Sequence, residues 1–253
     1  MFNNRVKSKL GAAWFYAGHP NHLIKRYYGE LYLGAKDYFK KPEYKITWGG
    51  PFNGQEIRRQ IFLSIIARLD INLIIETGTF RGGTTEFMAK NTSCKIITVE
   101  ANESYYGYSK LRFLLNPQIR IFNNDSRKFL TKVLNKKTVQ KKRLFFYLDA
   151  HWEEDLPLVE ELQIIFQRTQ NATIMVDDFQ VPDDEGYSFD NYGPGKKLSL
   201  ELLDELDNEK IFIFFPKQSS ELETGFKRGS VVLTNSKETA EKLNSVESLR
   251  SYS

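Results

Sequence analysis

From Leu73 onward, short apolar runs alternate with amphipathic stretches. The runs at Leu73 to Glu76, Lys95 to Glu100, Ile119 to Phe122, Arg143 to Leu148 and Thr173 to Asp178 are strand-length and flanked by turn residues. Helical patterns lie between them, and that alternation predicts a parallel sheet with crossover helices, an α/β fold of the Rossmann-like type with helices on both faces. Two further runs, "IFIFF" and "SVVLT", have no helix between them, so the last two of seven strands form a hairpin and one strand is antiparallel. "EIRRQIFLSIIARLD" reads as an amphipathic helix entering the first strand, and the polar tail after Ser236 reads as loose in part.

Residues 1 to 47 are dense in Lys, Arg and Tyr without a clean apolar stripe. The bland reading is an accessory helical segment packed on the main domain; a lid, an oligomer contact or a membrane-surface helix are the others. "ITWGGPFNGQ" breaks the pattern and divides an N-terminal segment, residues 1–50, from a main domain, residues 51–253.

The first strand runs into "IIETGTFRGGTTEFMAKN", a glycine turn holding an acid before a helix. Strand, glycine turn and helix is where an open α/β sheet binds a nucleotide-like ligand. The spacing departs from G-x-G-x-x-G, and a carboxylate inside the turn would repel a pyrophosphate. A ligand carrying positive charge suits it, and S-adenosylmethionine (SAM), with its ammonium and sulfonium groups, is such a ligand.

Ligands of such sheets bind beyond the carboxyl ends of the strands, and every strand here ends in polar residues. Glu76 ends the first and Glu100 the second, where an acid can accept from two ribose hydroxyls. Asp125 and Ser126 follow the third, where an adenine edge can be read; Asp125 is alternatively a helix N-cap before "SRKFL". Asp149 and His151 follow the fourth, and Asp177 and Asp178 end the fifth.

Composition narrows the class. The 253 residues are 41% hydrophobic and 14% aromatic, enough for a packed core. A formal charge of +4 with interspersed acids and bases gives no nucleic-acid signature. The single cysteine, Cys94, excludes an internal disulfide and a cysteine-based zinc site, and cytoplasm is the default compartment. No apolar stretch reaches the roughly 18 residues of a spanning helix, and Met1 to Phe15 lacks a signal-peptide core, so an integral membrane segment is not expected.

The order ETGTFRGG, VEAN, NDS, LDAHW, VDDF over residues 52 to 235 resembles the class I SAM-dependent methyltransferases, and among them the sugar and small-molecule O-methyltransferases related to macrocin O-methyltransferase. The resemblance implies a seven-stranded sheet in the order 3-2-1-4-5-7-6 with strand seven antiparallel. It implies that Glu76, Gly78, Thr79, Phe80 and Gly82 hold the methionine end of SAM, Glu100 the ribose, and Asp125 with Ser126 the adenine. Phe80 stands where the commonest motif, E-x-G-x-G-x-G, has its middle glycine. "WGGPFNGQ" either closes over SAM through Phe52, Asn53 and Gln55 or is a plain joining turn.

Methyl transfer from a sulfonium is an in-line displacement, and an alcohol acceptor needs a metal or a positioned base. Asp149, Asp177 and Asp178 are hard oxygen ligands that suit Mg²⁺ better than zinc; in metal-dependent relatives, acids at these places clamp two adjacent hydroxyls through a divalent ion. The same acids could pair with Lys196, Lys197 or Arg228. His151 is a candidate base or metal-side ligand, or a simple hydrogen-bonded loop residue, and Trp152 is expected to wall the pocket. "VPDDEGYSFDNYGPGKKL" reads as an acceptor-binding loop or a plain surface loop.

The function expected is SAM-dependent O-methylation of a sugar or small natural-product hydroxyl, with Mg²⁺ as aid and a homo-oligomer open. The rivals are a hydroxylase-like iron enzyme using His151, Asp149 and Asp177, a non-catalytic SAM- or glycan-binding protein, and, more weakly, an NAD-dependent oxidoreductase.

Overall fold

The structure is a computed structural model that describes residues 20–151, 155–206 and 210–252; Trp152 lies outside the described residues. In chain order the helices are α1 (Pro20–Lys40), α2 (Glu56–Leu69), α3 (Gly83–Asn91), α4 (Glu103–Arg112), α5 (Ser126–Leu134), α6 (Lys137–Gln140), α7 (Leu158–Arg168), α8 (Leu200–Leu203) and α9 (Lys237–Leu243). The strands are β1 (Leu73–Thr77), β2 (Lys95–Glu100), β3 (Ile119–Asn123), β4 (Leu144–Leu148), β5 (Thr173–Asp177), β6 (Phe212–Pro216), β7 (Ser230–Thr234) and β8 (Leu249–Tyr252).

They form one sheet in the order β3-β2-β1-β4-β5-β7-β6-β8. β1 to β5 pair in parallel, β7 runs antiparallel to both β5 and β6, and β8 is antiparallel to β6. The expected order is therefore present with one strand more. That strand and α9 lie in the tail that reads as loose. Its few apolar residues carry it: Ala240, Leu243, Val246 and Leu249 are all buried, and Ser236 caps α9 by accepting from the Thr239 amide. Three- and six-residue spacings hidden among charged positions are enough to hold a segment once a sheet edge and a helix supply the other side.

All five residues of β1, β4 and β5 are buried, because side chains of alternating parity face helix layers on both sides. Ile75, Phe146, Leu148 and Val176 pack with Phe129 and Leu130 of α5 and Leu162 and Ile165 of α7. Ile74, Phe145, Tyr147 and Met175 pack with Ile61, Phe62 and Ile65 of α2 and Met88 of α3. No helix among the described residues is long and apolar enough to cross a membrane.

α1 lies across α4. A Cβ on Gly34 would stand 1.7 Å from the Ser104 carbonyl oxygen, and one on Gly107 would stand 2.2 Å from that of Leu31. Two glycines thus let the backbones touch, and Tyr38 packs edge-on against Tyr108. A short stretch of 3-10 turns, Pro42–Gly49 and Pro51–Gly54, then leads along the carboxyl edge of the sheet into α2.

Candidate functional site

The glycine turn is built by backbone crowding. Gly78 has φ of +82°, and a Cβ there would stand 2.0 Å from the Asp149 carbonyl oxygen, so the turn after β1 rests directly on the end of β4. Gly82, also at positive φ, precedes α3, and the Phe113 ring fills the space its side chain would need. Phe80 takes a left-handed backbone, with φ of +49°, a strained state for an aromatic residue. Contacts on three sides hold it: its N–H donates to Glu100 Oε2 at 2.7 Å, its carbonyl accepts from Ser109 Oγ at 2.6 Å, and its ring meets Tyr105.

Glu76 is buried beneath this turn. One of its oxygens accepts from the Thr85 and Thr98 hydroxyls at 2.5 and 2.6 Å, and Thr79 Oγ1 joins Thr98 Oγ1. Burial pushes the Glu76 pKa up to about 7 despite the two hydroxyls, with the Glu100 carboxylate adding to the rise. Glu100, 8% exposed, accepts from the Asn102 and Phe80 amides; burial raises its pKa against those bonds.

Asp125 is the N-cap of α5, accepting from the Lys128 amide at 3.1 Å. Arg127 closes on it at 2.6 Å and holds its carboxyl below the usual range. The cap expected of this acid is present, and Ser126 is buried at the helix start beside it.

The segment before α2 is corrected in part. Phe52 is fully buried, its ring among Phe62, Phe87 and Tyr147, so it belongs to the core. Gln55 is likewise buried: its amide donates to the Arg228 carbonyl at 2.9 Å, and its oxygen accepts from the Arg228 N–H at 2.8 Å. Asn53 reaches Asp177 Oδ2 at 3.4 Å. Gln55 thus pins the residues before β7, and an apolar ring and an amide with partners of their own have nothing left to close over a ligand.

The adjacent acids at the end of β5 face opposite ways. Asp177 is paired with Arg58 of α2, both side chains almost wholly buried, and accepts from the Tyr147 hydroxyl and the Asp178 amide. Asp178 takes a left-handed backbone, φ of +54°, which swings its carboxylate to Arg228 (2.6 Å) and towards His151. Arg228 also pairs with Asp190, whose Oδ2 accepts from the Tyr192 hydroxyl. Burial opposes ionisation of Asp178, but His151 and Arg228 hold its pKa well below the carboxylate range. Asp149 goes the other way, raised by burial and by Asp178 and Glu76 against the pull of His151. For His151 burial lowers the pKa, and the carboxylates of Asp178, Asp149 and Asp190 outweigh it.

The structure thus gathers Asp149, His151 and Asp178, whose ligating atoms lie within 4.8 Å of one another, and takes Asp177 out of the set. Sequence reasoning did not single out Arg58 or Asp190. The signal for Arg58 is a charge on the apolar stripe Ile57, Ile61, Phe62, Ile65; for Asp190 it is an acid among the aromatics of the loop after β5.

No protein-family model matches the chain, and no curated protein matches it in sequence. Solved structures match in three dimensions. An O-methyltransferase from Bacillus cereus in complex with S-adenosylhomocysteine (SAH) superposes with a TM-score of 0.53 at 15% identity, over 84% of this chain and 95% of that one. The O-methyltransferase TomG from Streptomyces achromogenes, involved in tomaymycin synthesis and bound to SAM, gives 0.50 at 14%, over 70% and 79%. The chain has the methyltransferase fold. Spermidine synthase from Thermotoga maritima shares that fold, with 0.50 at 11% over 75% and 64%, so the methyltransferase fold sets the frame and the side chains of the site must set the reaction.

Proposed function

We propose that the protein is a SAM-dependent O-methyltransferase acting on a hydroxyl of a sugar or small natural-product acceptor. The observation that carries the reading is Glu100, a buried carboxylate held at the end of β2 by the amides of the glycine turn and of Asn102. Its unused lone pairs suit two ribose hydroxyls. Glu76, Glu100 and Asp149 along the same edge suit a ligand that brings positive charge, so the donor set fits SAM.

Bound there, SAM supplies a methyl group on a sulfonium. The turn from Gly78 to Gly82 would hold its methionine end, Glu100 its ribose, and Ser126 would border its adenine. The acceptor would enter over Asp149 and His151. Asp149, 35% exposed, is placed to take the hydroxyl proton as the oxygen attacks, with the buried His151 alongside. The loop from Val181 to Leu198, tied to β5 by the Asp190 amide on the Asp178 carbonyl at 2.9 Å, would form the acceptor wall.

Mg²⁺ on Asp149, Asp177 and Asp178 does not fit these residues, since Asp177 is committed to Arg58 and Tyr147. The hydroxylase-like reading draws on one observation, an imidazole among carboxylates; the familiar iron triad has two histidines and one carboxylate, and among the described residues one histidine stands here.

Calorimetric titration with SAM and SAH tests the proposal. Micromolar binding followed by methyl transfer to a hydroxylated acceptor supports it; tight binding with no transfer across a broad panel supports the non-catalytic rival, and no binding of either sinks it.

A further inference from the structure

The Nε2 atom of His151 is buried and has no hydrogen-bond partner among the described residues. It points between three carboxylate oxygens: Asp149 Oδ1 at 3.9 Å, Asp178 Oδ2 at 3.9 Å and Asp190 Oδ2 at 4.0 Å. Those separations are too long for hydrogen bonds. For Asp149, His151 and Asp178, whose ligating atoms all lie within 4.8 Å of one another, they are the spacing of atoms that share one cation, since donors at about 2.0 to 2.2 Å from an ion stand roughly 3 to 4 Å apart; Asp190 adds an oxygen at the same distance from the imidazole.

Arg228 explains how three acids stay together. It binds Asp178 Oδ1 through Nε and Asp190 Oδ1 through Nη2, which leaves Asp178 Oδ2 turned towards His151 and Asp190 Oδ2 shared between that side and the Tyr192 hydroxyl, from which it accepts. The guanidinium orients the carboxylates from behind, opposite the imidazole.

We propose that Asp149, His151, Asp178 and Asp190 form a site for a first-row divalent transition metal, for which Mn²⁺ is the probe, in place of the all-oxygen Mg²⁺ site expected on Asp149, Asp177 and Asp178. A nitrogen ligand is what separates the two, because Mg²⁺ and Ca²⁺ take oxygen donors while imidazole suits the transition metals. Asp190 comes from the loop after β5, so metal binding fastens the acceptor wall to the strand ends. With Nε2 coordinated, His151 is a ligand and Asp149, which has a second oxygen, is left to receive the acceptor's proton. This deepens the proposed acceptor site and rests on that reading for its role in catalysis, but metal binding is read without SAM.

The test uses the full chain treated with EDTA and titrated with MnCl₂ and MgCl₂ in the absence of SAM. One Mn²⁺ per chain is expected, bound at least ten-fold more tightly than Mg²⁺, with pulsed paramagnetic resonance showing ¹⁴N coupling from one imidazole. H151Q should remove the coupling and the preference, and D190N should weaken Mn²⁺ several-fold. Equal affinities for the two ions, no saturable Mn²⁺ binding, or bound Mn²⁺ without ¹⁴N coupling in the unmodified protein would each overturn the proposal, and none of these depends on a variant folding.

Discussion

Arg58 and Asp177 form an ion pair across the top of the sheet with 1% and 2% of their side chains exposed. The guanidinium enters from α2 and also donates to the Gly229 carbonyl at 3.0 Å, so one side chain joins a helix, the end of β5 and the start of β7. Asp177 is in this way a structural acid one residue from an acid of the site.

Removing either partner leaves a buried charge uncompensated. D177A and R58A should each lower stability by about 3 to 5 kcal/mol, read by urea denaturation. A double replacement by apolar residues of similar size should cost less than the two single changes summed; simple additivity would deny the coupling.

Stability should fall with rising pH through Glu76. Its folded pKa of about 7 lies above its ordinary 4.5, so the folded state binds the proton more tightly than the unfolded chain. The contribution is whole below pH 4.5 and is lost as pH rises through 7, about 3 kcal/mol for the shift. Glu161, buried in α7 and also raised to about 7 by burial, adds a loss of the same sign. E76Q should therefore melt higher than the native chain at pH 8 and about equally at pH 4.5; parallel pH profiles would remove Glu76 as the cause.

Gly78 has no room for a methyl group, because the atom it would meet is a backbone oxygen. G78A should cost more than about 2 kcal/mol and weaken SAM binding as the turn lifts off β4. G195A is the control: that glycine also has positive φ, +69°, but has open space around it, and about 1 to 2 kcal/mol of backbone strain is all it should cost. Equal losses would show that strain at positive φ, not crowding, governs the turn.

E100A should weaken SAM at least ten-fold in calorimetry. On the proposed reading, a methyl acceptor assay at saturating SAM should recover most of the turnover, because β1 separates Glu100, at the end of β2, from Asp149, just after β4. Unchanged affinity would sink the ribose assignment.

The sequence by itself determined the strands from β1 to β7, because each is a short run rich in apolar residues between turn residues; in β1, β4, β5 and β7 every residue is buried, and burial on both faces leaves a pattern that needs no partner to be read. It also marked the strand ends as polar, since acids such as Glu76, Glu100 and Asp149 interrupt those runs. The tertiary structure decided what each acid does. Asp177 and Asp178 are identical in the sequence, and their roles part only because strand alternation sends one towards Arg58 while a left-handed turn sends the next towards Arg228 and His151. Phe52 and Gln55 were legible as a loop and not as an anchor, because their partners, Tyr147 and Arg228, lie far along the chain. The last strand was hidden for a related reason: the residues that hold it are few, and they become a pattern only when β6 and α2 are beside them.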